Sequence, residues 1–278
     1  MPELPEVESV RRGLMAARIS APIAAVWRSE HALRMSGDLA ALIGARPGAV
    51  GRRGKYLLWE MDAAGEALGL LVHLGMSGRF GVARPSDPRV KHTHFVLRLE
   101  DDRELRFVDP RRFGGFLVGA AATLKGQPPL AGLGPEPLDA GFDGALLAAR
   151  LGASERCLRD ALLDQRAVAG VGNIYAVEAL FLAGLHPLTP ARALRASAWA
   201  RLAEALQRVL NQGIASGGTT LKDFRNVTGE VGRGQDDLKV YGREGEPCPR
   251  CGQALRGFVH GGRSGVFCPS DQPRRQIR

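Results

Sequence analysis

Cys248, Pro249, Arg250 and Cys251 set two thiols at the spacing of a zinc knuckle. After sixteen intervening residues, Cys268, Pro269, Ser270 and Asp271 offer a third thiol and a carboxylate at the same offset. Three thiolates and one further donor can surround a zinc ion tetrahedrally. Asp271 is the candidate fourth ligand; being harder than sulfur, it should hold the ion less tightly than a fourth cysteine. His260 is an alternative fourth ligand, and a metal-free hairpin with incidental cysteines is the competing reading. The residues between the two pairs, 254–267, are long enough for a β-hairpin with Gly261 and Gly262 at its tip. The final 31 residues are too few for an ordinary core, so a metal staple there makes physical sense.

The opposite end carries a second candidate. Met1 precedes Pro2, and initiator methionine is normally removed before so small a residue. Removal would expose a proline secondary amine beside Glu3 and one helical turn from Glu6. A neutral amine attacks a sugar C1′ or a carbonyl, and nearby carboxyl groups can move protons. A prolyl amine needs its site to depress its basicity before it is neutral near pH 7. Taken alone, a Pro-Glu start is more often a frayed end.

Three glycine-bearing turns complete the set. Gly170, Val171, Gly172 and Asn173 lead into a helix, where backbone N–H groups and the dipole suit a phosphate, although most such turns are simple helix entries. Asp109, Pro110, Arg111, Arg112, Phe113, Gly114 and Gly115 put two arginines and a ring on a tight loop between strands. That combination suits insertion into a base stack, and it also fits a structural turn with Phe113 in the core. His73, Leu74, Gly75, Met76, Ser77 and Gly78 present an unbranched apolar side chain on a turn, where core filler is the commoner role for methionine.

The elements that must hold these groups follow from periodicity. Val7, Val10 and Leu14 recur at helical spacing in the segment starting at Pro5. Short runs rich in β-formers follow at 23–27, 56–61, 68–74, 95–99, 105–108 and 116–118, indicating a sandwich or barrel. Residues 126–139 hold four prolines and three glycines, a natural linker. From 143 to 214 the pattern is helical, with Asn173 as cap of a helix over 174–183 that stops at Gly184. A longer helix starts at Ser197, with Trp199, Leu202, Leu206, Val209 and Ile214 on its inner face. Glycine-rich joints follow at 213–220 and 229–234, and no internal repeat is present.

The 278 residues suit two smaller domains better than one. Hydrophobic residues at 45% and charged residues at 24% exclude wholesale disorder. No apolar run approaches the roughly 18 residues of a membrane span; residues 67–74 read as a core strand. The acidic N-terminus lacks the layout of a secretion signal, so a soluble, cytoplasmic protein is expected. Thirty-eight basic against 29 acidic residues give a net charge of +9, which suits a polyanion. From Cys248 onward there are six arginines, no lysine and one acid, Asp271. Four cysteines are too few for a disulfide framework.

Together these segments resemble the bacterial formamidopyrimidine-DNA glycosylase family. The matching motifs are the start from Met1 to Glu8, Lys55 with its flanks, His73 to Gly78, Asp109 to Gly114, Val171 to Ala176, Gly217 to Phe224, and Val240 to Arg243 before the knuckle. The resemblance implies an α+β multidomain fold: an N-terminal β-sandwich with an N-terminal helix, a helix–two-turn–helix domain, and a C-terminal zinc-ribbon β-hairpin. The expected bounds are 2–125, a linker over 126–142, 143–228 including a lesion-capping loop, and 238–278. It implies a bifunctional glycosylase and AP lyase of base excision repair that removes 8-oxoguanine and formamidopyrimidines through a proline iminium, then nicks by β,δ-elimination.

By motif, Pro2 is the implied nucleophile, Glu3 the assisting acid and Glu6 its support. Lys55, His73, Asn173 and Arg263 resemble phosphate-gripping residues, and Lys55 also a proton donor for β-elimination. Met76, Arg111 and Phe113 resemble the trio that fills the void of the flipped nucleotide, and Lys222 lies on the loop that closes over the base. The implied cofactor is one structural zinc on Cys248, Cys251, Cys268 and Asp271. The implied partner is double-stranded DNA carrying oxidised bases or abasic sites, met by a monomer acting at the nucleoid, with no membrane. Two residues depart from the family pattern: Asp271 replaces the fourth cysteine, and Arg159 stands where some members carry lysine near the base, a change of geometry that could alter lesion preference. The rivals are the sister branch that excises oxidised pyrimidines, a non-catalytic lesion-binding protein on the same fold, and a zinc-stapled RNA-binding protein. Leu4 and the 217–224 loop favour the oxidised-purine branch.

Overall fold

Helix α1 (Leu4–Ala16) buries Val7, Val10 and Leu14, the three residues whose spacing announces it. Pro5 sits in its first turn, where a missing N–H costs nothing. Eight strands follow: β1 (Ile23–Arg28), β2 (Arg46–Arg53), β3 (Tyr56–Ala63), β4 (Glu66–His73), β5 (Arg79–Ala83), β6 (Thr93–Leu99), β7 (Glu104–Val108) and β8 (Gly115–Ala120). They form two antiparallel four-stranded sheets, ordered β1-β6-β7-β5 and β2-β3-β4-β8, which make a sandwich. Phe80, Phe95 and Phe107 of one sheet form a ring cluster that Phe116 of the other joins, 4.8 Å from Phe95 edge to face. Such ring pairs add to the area they bury.

Six of the strands lie where the β-forming runs place them. The other two, β2 and β5, escape the pattern. Strand β2 reads Arg-Pro-Gly-Ala-Val-Gly-Arg-Arg, with a register shift between Pro47 and Val50 and only those two residues buried. Strand β5 buries Phe80 alone.

The computed structural model describes residues 2–219, Val227 and residues 232–274. The chain divides into two compact units, Met1–Gly132 with Ser216–Gln235, and Leu133–Ala215 with Asp236–Arg278. In the first, Val227 joins the core and seats against α1, where a Cβ on Gly13 would lie 3.0 Å from its side chain.

The second unit holds α3 (Gly144–Leu151), α4 (Leu158–Leu162), α5 (Asn173–Leu182) and α6 (Ala196–Ala215); a short α2 (Ala121–Gly126) follows the last strand of the first unit. Two details correct the sequence reading. Asn173 is the first residue of α5, not its cap; Gly172 takes the N-cap position and no side chain caps it. On α6, Leu210 and Gly213 are buried where Val209 and Ile214 were expected, while Trp199, Leu202 and Leu206 are buried as expected. Strands β9 (Arg256–His260) and β10 (Arg263–Phe267) form the anticipated hairpin, with Gly261 and Gly262 at positive φ in its turn.

The ribbon is fastened to α5 by charge. Arg250 donates to the carbonyls of Phe181 and Leu182 at 3.0 and 2.9 Å, meeting the negative end of the helix. Buried Glu178 accepts three backbone N–H bonds, from Lys239 and Val240 at 2.9 Å and Tyr241 at 2.7 Å, and so fixes the Val240-Tyr241-Gly242 turn before the ribbon. Replacing this carboxylate strands those donors, so Glu178→Ala should lower unfolding free energy by roughly 3 kcal/mol or more. Urea denaturation checks it; a loss under about 1 kcal/mol would mean that water replaces the carboxylate there.

Candidate active site and metal centre

The N-terminal constellation is built by the start of α1. Glu3 occupies the N-cap with extended backbone, and its N–H donates to Glu6 Oε2 at 2.8 Å, the returning half of a capping box. The other carboxylate oxygen, Oε1, accepts the backbone N–H of Thr219 at 2.7 Å. Glu6 thus ties the chain start and the 216–219 segment to one side chain. Pro2, Glu3 and Glu6 are all buried, and Lys55 is 6% exposed on the turn between β2 and β3. A frayed end is excluded by this placement.

Glu8, one turn further on, was not singled out by the sequence. Arg11 and Arg12 bond to it at 2.8 and 2.9 Å, and Arg52 of β2 lies 3.3 Å away. Burial pushes its pKa up, but the bonds from Arg11 and Arg12 and the charges of Arg11 and Arg52 outweigh that and hold it at about 2. Glu8 therefore clamps α1 to the sheet as a permanent anion.

His73 ends β4 opposite Tyr56, with the two rings 4.8 Å apart. Its Nδ1 accepts the Gly75 N–H at 3.0 Å, which leaves the proton on Nε2 as a donor. Burial, then the charges of Lys55 and Arg34, lower its pKa to about 4 against the opposing pull of Asp109. The ring is neutral at pH 7 and offers one N–H beside two cations. Arg34 is a second residue that the motifs did not reveal.

The two loops bearing Met76, Arg111 and Phe113 are sewn together by Asp109, which is fully buried. Its Oδ1 accepts from Ser77 Oγ at 2.5 Å and from the Arg111 N–H at 3.2 Å, and its Oδ2 from the Gly114 N–H at 2.8 Å. His94 Nε2 lies 3.0 Å from the Asp109 carbonyl. Gly75 is required here: its φ is +65°, and a Cβ would lie 2.2 Å from Gly114 N. Phe113 is 48% exposed rather than a core residue, with the Arg111 guanidinium 5.1 Å from its ring centre. Met76 is half-buried on the adjoining turn. Lys222 lies outside the described residues.

In the second unit, Asn173 donates through Nδ2 to the Ser264 carbonyl at 2.9 Å, placing the start of α5 against the strand that carries exposed Arg263. Cys248, Cys251, Cys268 and Asp271 converge with all ligand atoms within 4.8 Å of one another. Asp271 Oδ2 is 3.3 Å from Cys248 Sγ, and Cys251 Sγ is 3.4 Å from Cys268 Sγ. The N–H groups of Arg250 and Asp271 point at the sulfurs of Cys248 and Cys268, both at 3.4 Å, as thiolate ligands require. The residues present fit one zinc ion, with Asp271 as fourth donor. His260 is not among them; it lies beside Asp160 and Cys157 instead.

Residues 1–116 match the formamidopyrimidine-DNA glycosylase N-terminal domain, 133–225 the H2TH domain of the same enzymes, and 245–274 a zinc finger found in FPG and IleRS. The formamidopyrimidine-DNA glycosylase of Moorella thermoacetica is 46% identical over 92% of this chain and 93% of its own. The chain belongs to the formamidopyrimidine-DNA glycosylase family. The homologue from Rhodopseudomonas palustris is 43% identical over 98% of this chain and all of its own. The crystal structure of the MutM (Fpg) protein from Thermus thermophilus superimposes with a TM-score of 0.88 at 41% identity, covering 99% of this chain and 100% of that one. Lactococcus lactis Fpg bound to DNA containing N7-benzyl-Fapy-dG gives 0.89 at 33% identity, covering 98% and 100%. Among the described residues no helix is long and apolar enough to cross a membrane.

The depressed pKa of His73 makes a pH prediction. Unfolded chains take up a proton near pH 6.5 that the folded site refuses until about pH 4. Its stabilising contribution is therefore complete above pH 6.5 and falls by up to about 3 kcal/mol as pH drops to 4. His73→Gln should flatten the stability profile across that window relative to wild type, by urea unfolding at each pH. Parallel profiles would mean that the ring titrates freely.

Proposed function

We propose that this chain is a bifunctional DNA glycosylase and AP lyase that excises oxidised purines, 8-oxoguanine and formamidopyrimidines, from duplex DNA. The observation that carries the reading is the buried start of α1, where Glu6 fixes Glu3 and its neighbour Pro2 in one register. With Met1 removed, the Pro2 amine attacks C1′ of the damaged nucleotide as the glycosidic bond breaks and the base leaves. Glu3 supplies the proton that opens the sugar ring, and an iminium joins Pro2 to C1′. A secondary amine has no second N–H to lose, so the iminium stays cationic and acidifies C2′–H. Loss of that proton expels the 3′ phosphate, with Lys55 as the proposed proton carrier, and δ-elimination expels the 5′ phosphate.

A base inside a duplex is out of reach and must be extruded. Met76, Arg111 and Phe113 are assigned to filling the gap. Their half-buried and exposed placement on loops locked by Asp109 supports this, since a plug must be apolar, cationic and stiff. Lys55 and neutral His73 in the first unit, and Asn173 and Arg263 in the second, are assigned to phosphates, which position the duplex without reading sequence. Lys222 is assigned to the cover over the base. Zinc held by Cys248, Cys251, Cys268 and Asp271 would fill a closed site and act as a staple for the hairpin carrying Arg263, with no open position for chemistry.

By this reading residues 2–125 do the chemistry, 126–142 link, and 143–228 and 238–278 grip DNA. The protein works as a monomer in the bacterial cytoplasm, at the nucleoid. Lactococcus lactis Fpg forms complexes with abasic-site DNA and, as a point mutant, with Fapy-dG DNA, the intermediate and substrate classes that the reading requires.

Pro2→Gly tests it. Base release from an 8-oxoguanine duplex and nicking of an abasic duplex should fall on the order of 10³-fold or more, while duplex binding is retained. Wild-type rates in the variant would remove Pro2 from the mechanism.

A further inference from the structure

Cys157, Asp160 and His260 form a second group of metal-binding side chains for which the glycosylase reading has no use. Their ligand atoms all lie within 4.8 Å of one another. Cys157 is the N-cap of α4, Asp160 lies in its first turn, and His260 ends β9 at the hairpin tip. The Cys157 sulfur is 3.8 Å from His260 Nδ1, and Asp160 Oδ2 is 2.9 Å from the same nitrogen.

We propose that Cys157, Asp160 and His260 form a second zinc-binding site, distinct from the ribbon quartet, that ties the start of α4 to the tip of the hairpin. A tetrahedral zinc ion with bonds of about 2.0–2.3 Å separates its ligand atoms by roughly 3.3–3.8 Å. The Cys157–His260 separation of 3.8 Å lies within about 0.3 Å of the value for one sulfur and one nitrogen. The Asp160–His260 pair is closer, at hydrogen-bond distance, and zinc between the two atoms widens it by about half an ångström. One sulfur, one imidazole nitrogen and one carboxylate oxygen select zinc over magnesium or calcium. The His260 side chain is half exposed, so the fourth position faces solvent and takes water.

Arg159 joins the elements that carry the three ligands. Arg159, wholly buried, donates to the His260 carbonyl at 2.6 Å and to Asn173 Oδ1 at 3.4 Å, and lies 5.6 Å from the Phe258 ring centre. Its Nε is 2.8 Å from Asp160 Oδ1, yet the N–H points away, so among the described residues these are the two buried side-chain polar atoms without a hydrogen bond. The arginine thus sets the hairpin tip over α4 and pairs with the carboxylate by charge without a hydrogen bond to Oδ1. Its positive charge offsets one of the two anionic ligands, so the second site binds more weakly than the ribbon. Zinc binds cysteine as the thiolate, so the metal-free Cys157 thiol must give up its proton. Zinc uptake therefore releases that proton, and affinity rises with pH. The site stands or falls independently of the glycosylase reading.

Equilibrium dialysis against zinc, with metal counted per folded chain, tests it. Wild type should saturate at two ions, and Cys157→Ala and His260→Gln at one each, the ribbon ion being retained. Cobalt in place of zinc should give a thiolate-to-metal absorption band of which the portion from Cys157 disappears in both variants. His260→Gln alters an exposed hairpin side chain and keeps the comparison valid if Cys157→Ala folds poorly. Saturation of wild type at one ion, or two ions in both variants, would overturn the proposal.

Discussion

One carboxylate decides whether the first residues of this chain can do anything. Glu6 receives the N–H of Glu3 at 2.8 Å and that of Thr219 at 2.7 Å, using both oxygens. Chain ends ordinarily fray because nothing offsets their conformational entropy. Here the capping box fixes the backbone of Glu3, the apolar stripe of α1 fixes the helix, and the Glu8 clamp with Arg11, Arg12 and Arg52 fixes the helix to its sheet. Chemistry by Pro2 requires all three, since a nucleophile displaced by an ångström loses most of its advantage.

The same device recurs wherever a loop must be stiff. Asp109 gathers two N–H groups and a hydroxyl to lock the loops of Met76 and Phe113. Glu178 gathers three N–H groups to lock the approach to the ribbon. Each is an acid buried to hold backbone in place. A buried carboxylate satisfied by several N–H donors is costly to disturb, which makes these loops behave as parts of the scaffold.

Much of the site was legible because its residues lie in short contiguous motifs. The zinc pairs, the hairpin turn at Gly261 and Gly262, the α1 stripe and the glycine-flanked turn at Met76 depend on spacing alone. What the sequence concealed depends on partners distant in the chain. Whether Asp271 or His260 completes the zinc quartet turns on where the hairpin tip lands, and it lands on Asp160. Asn173 looks like a cap but reaches Ser264, and Leu210 rather than Val209 is buried on α6, on the same helical face as Leu202, Leu206 and Gly213. Phe113 could be core or exposed until the Asp109 network places it outside. Strand β2 has too few apolar residues to announce itself and is defined by pairing with β3.

The central claim, that the clamped N-terminus supplies the nucleophile, is tested most directly by trapping. Borohydride reduces an iminium to a stable amine, so the protein should cross-link to a duplex bearing 8-oxoguanine opposite cytosine, with the sugar attached at Pro2 in the N-terminal peptide. An adduct on another residue, or none from protein that lacks Met1 and binds the duplex, would contradict it.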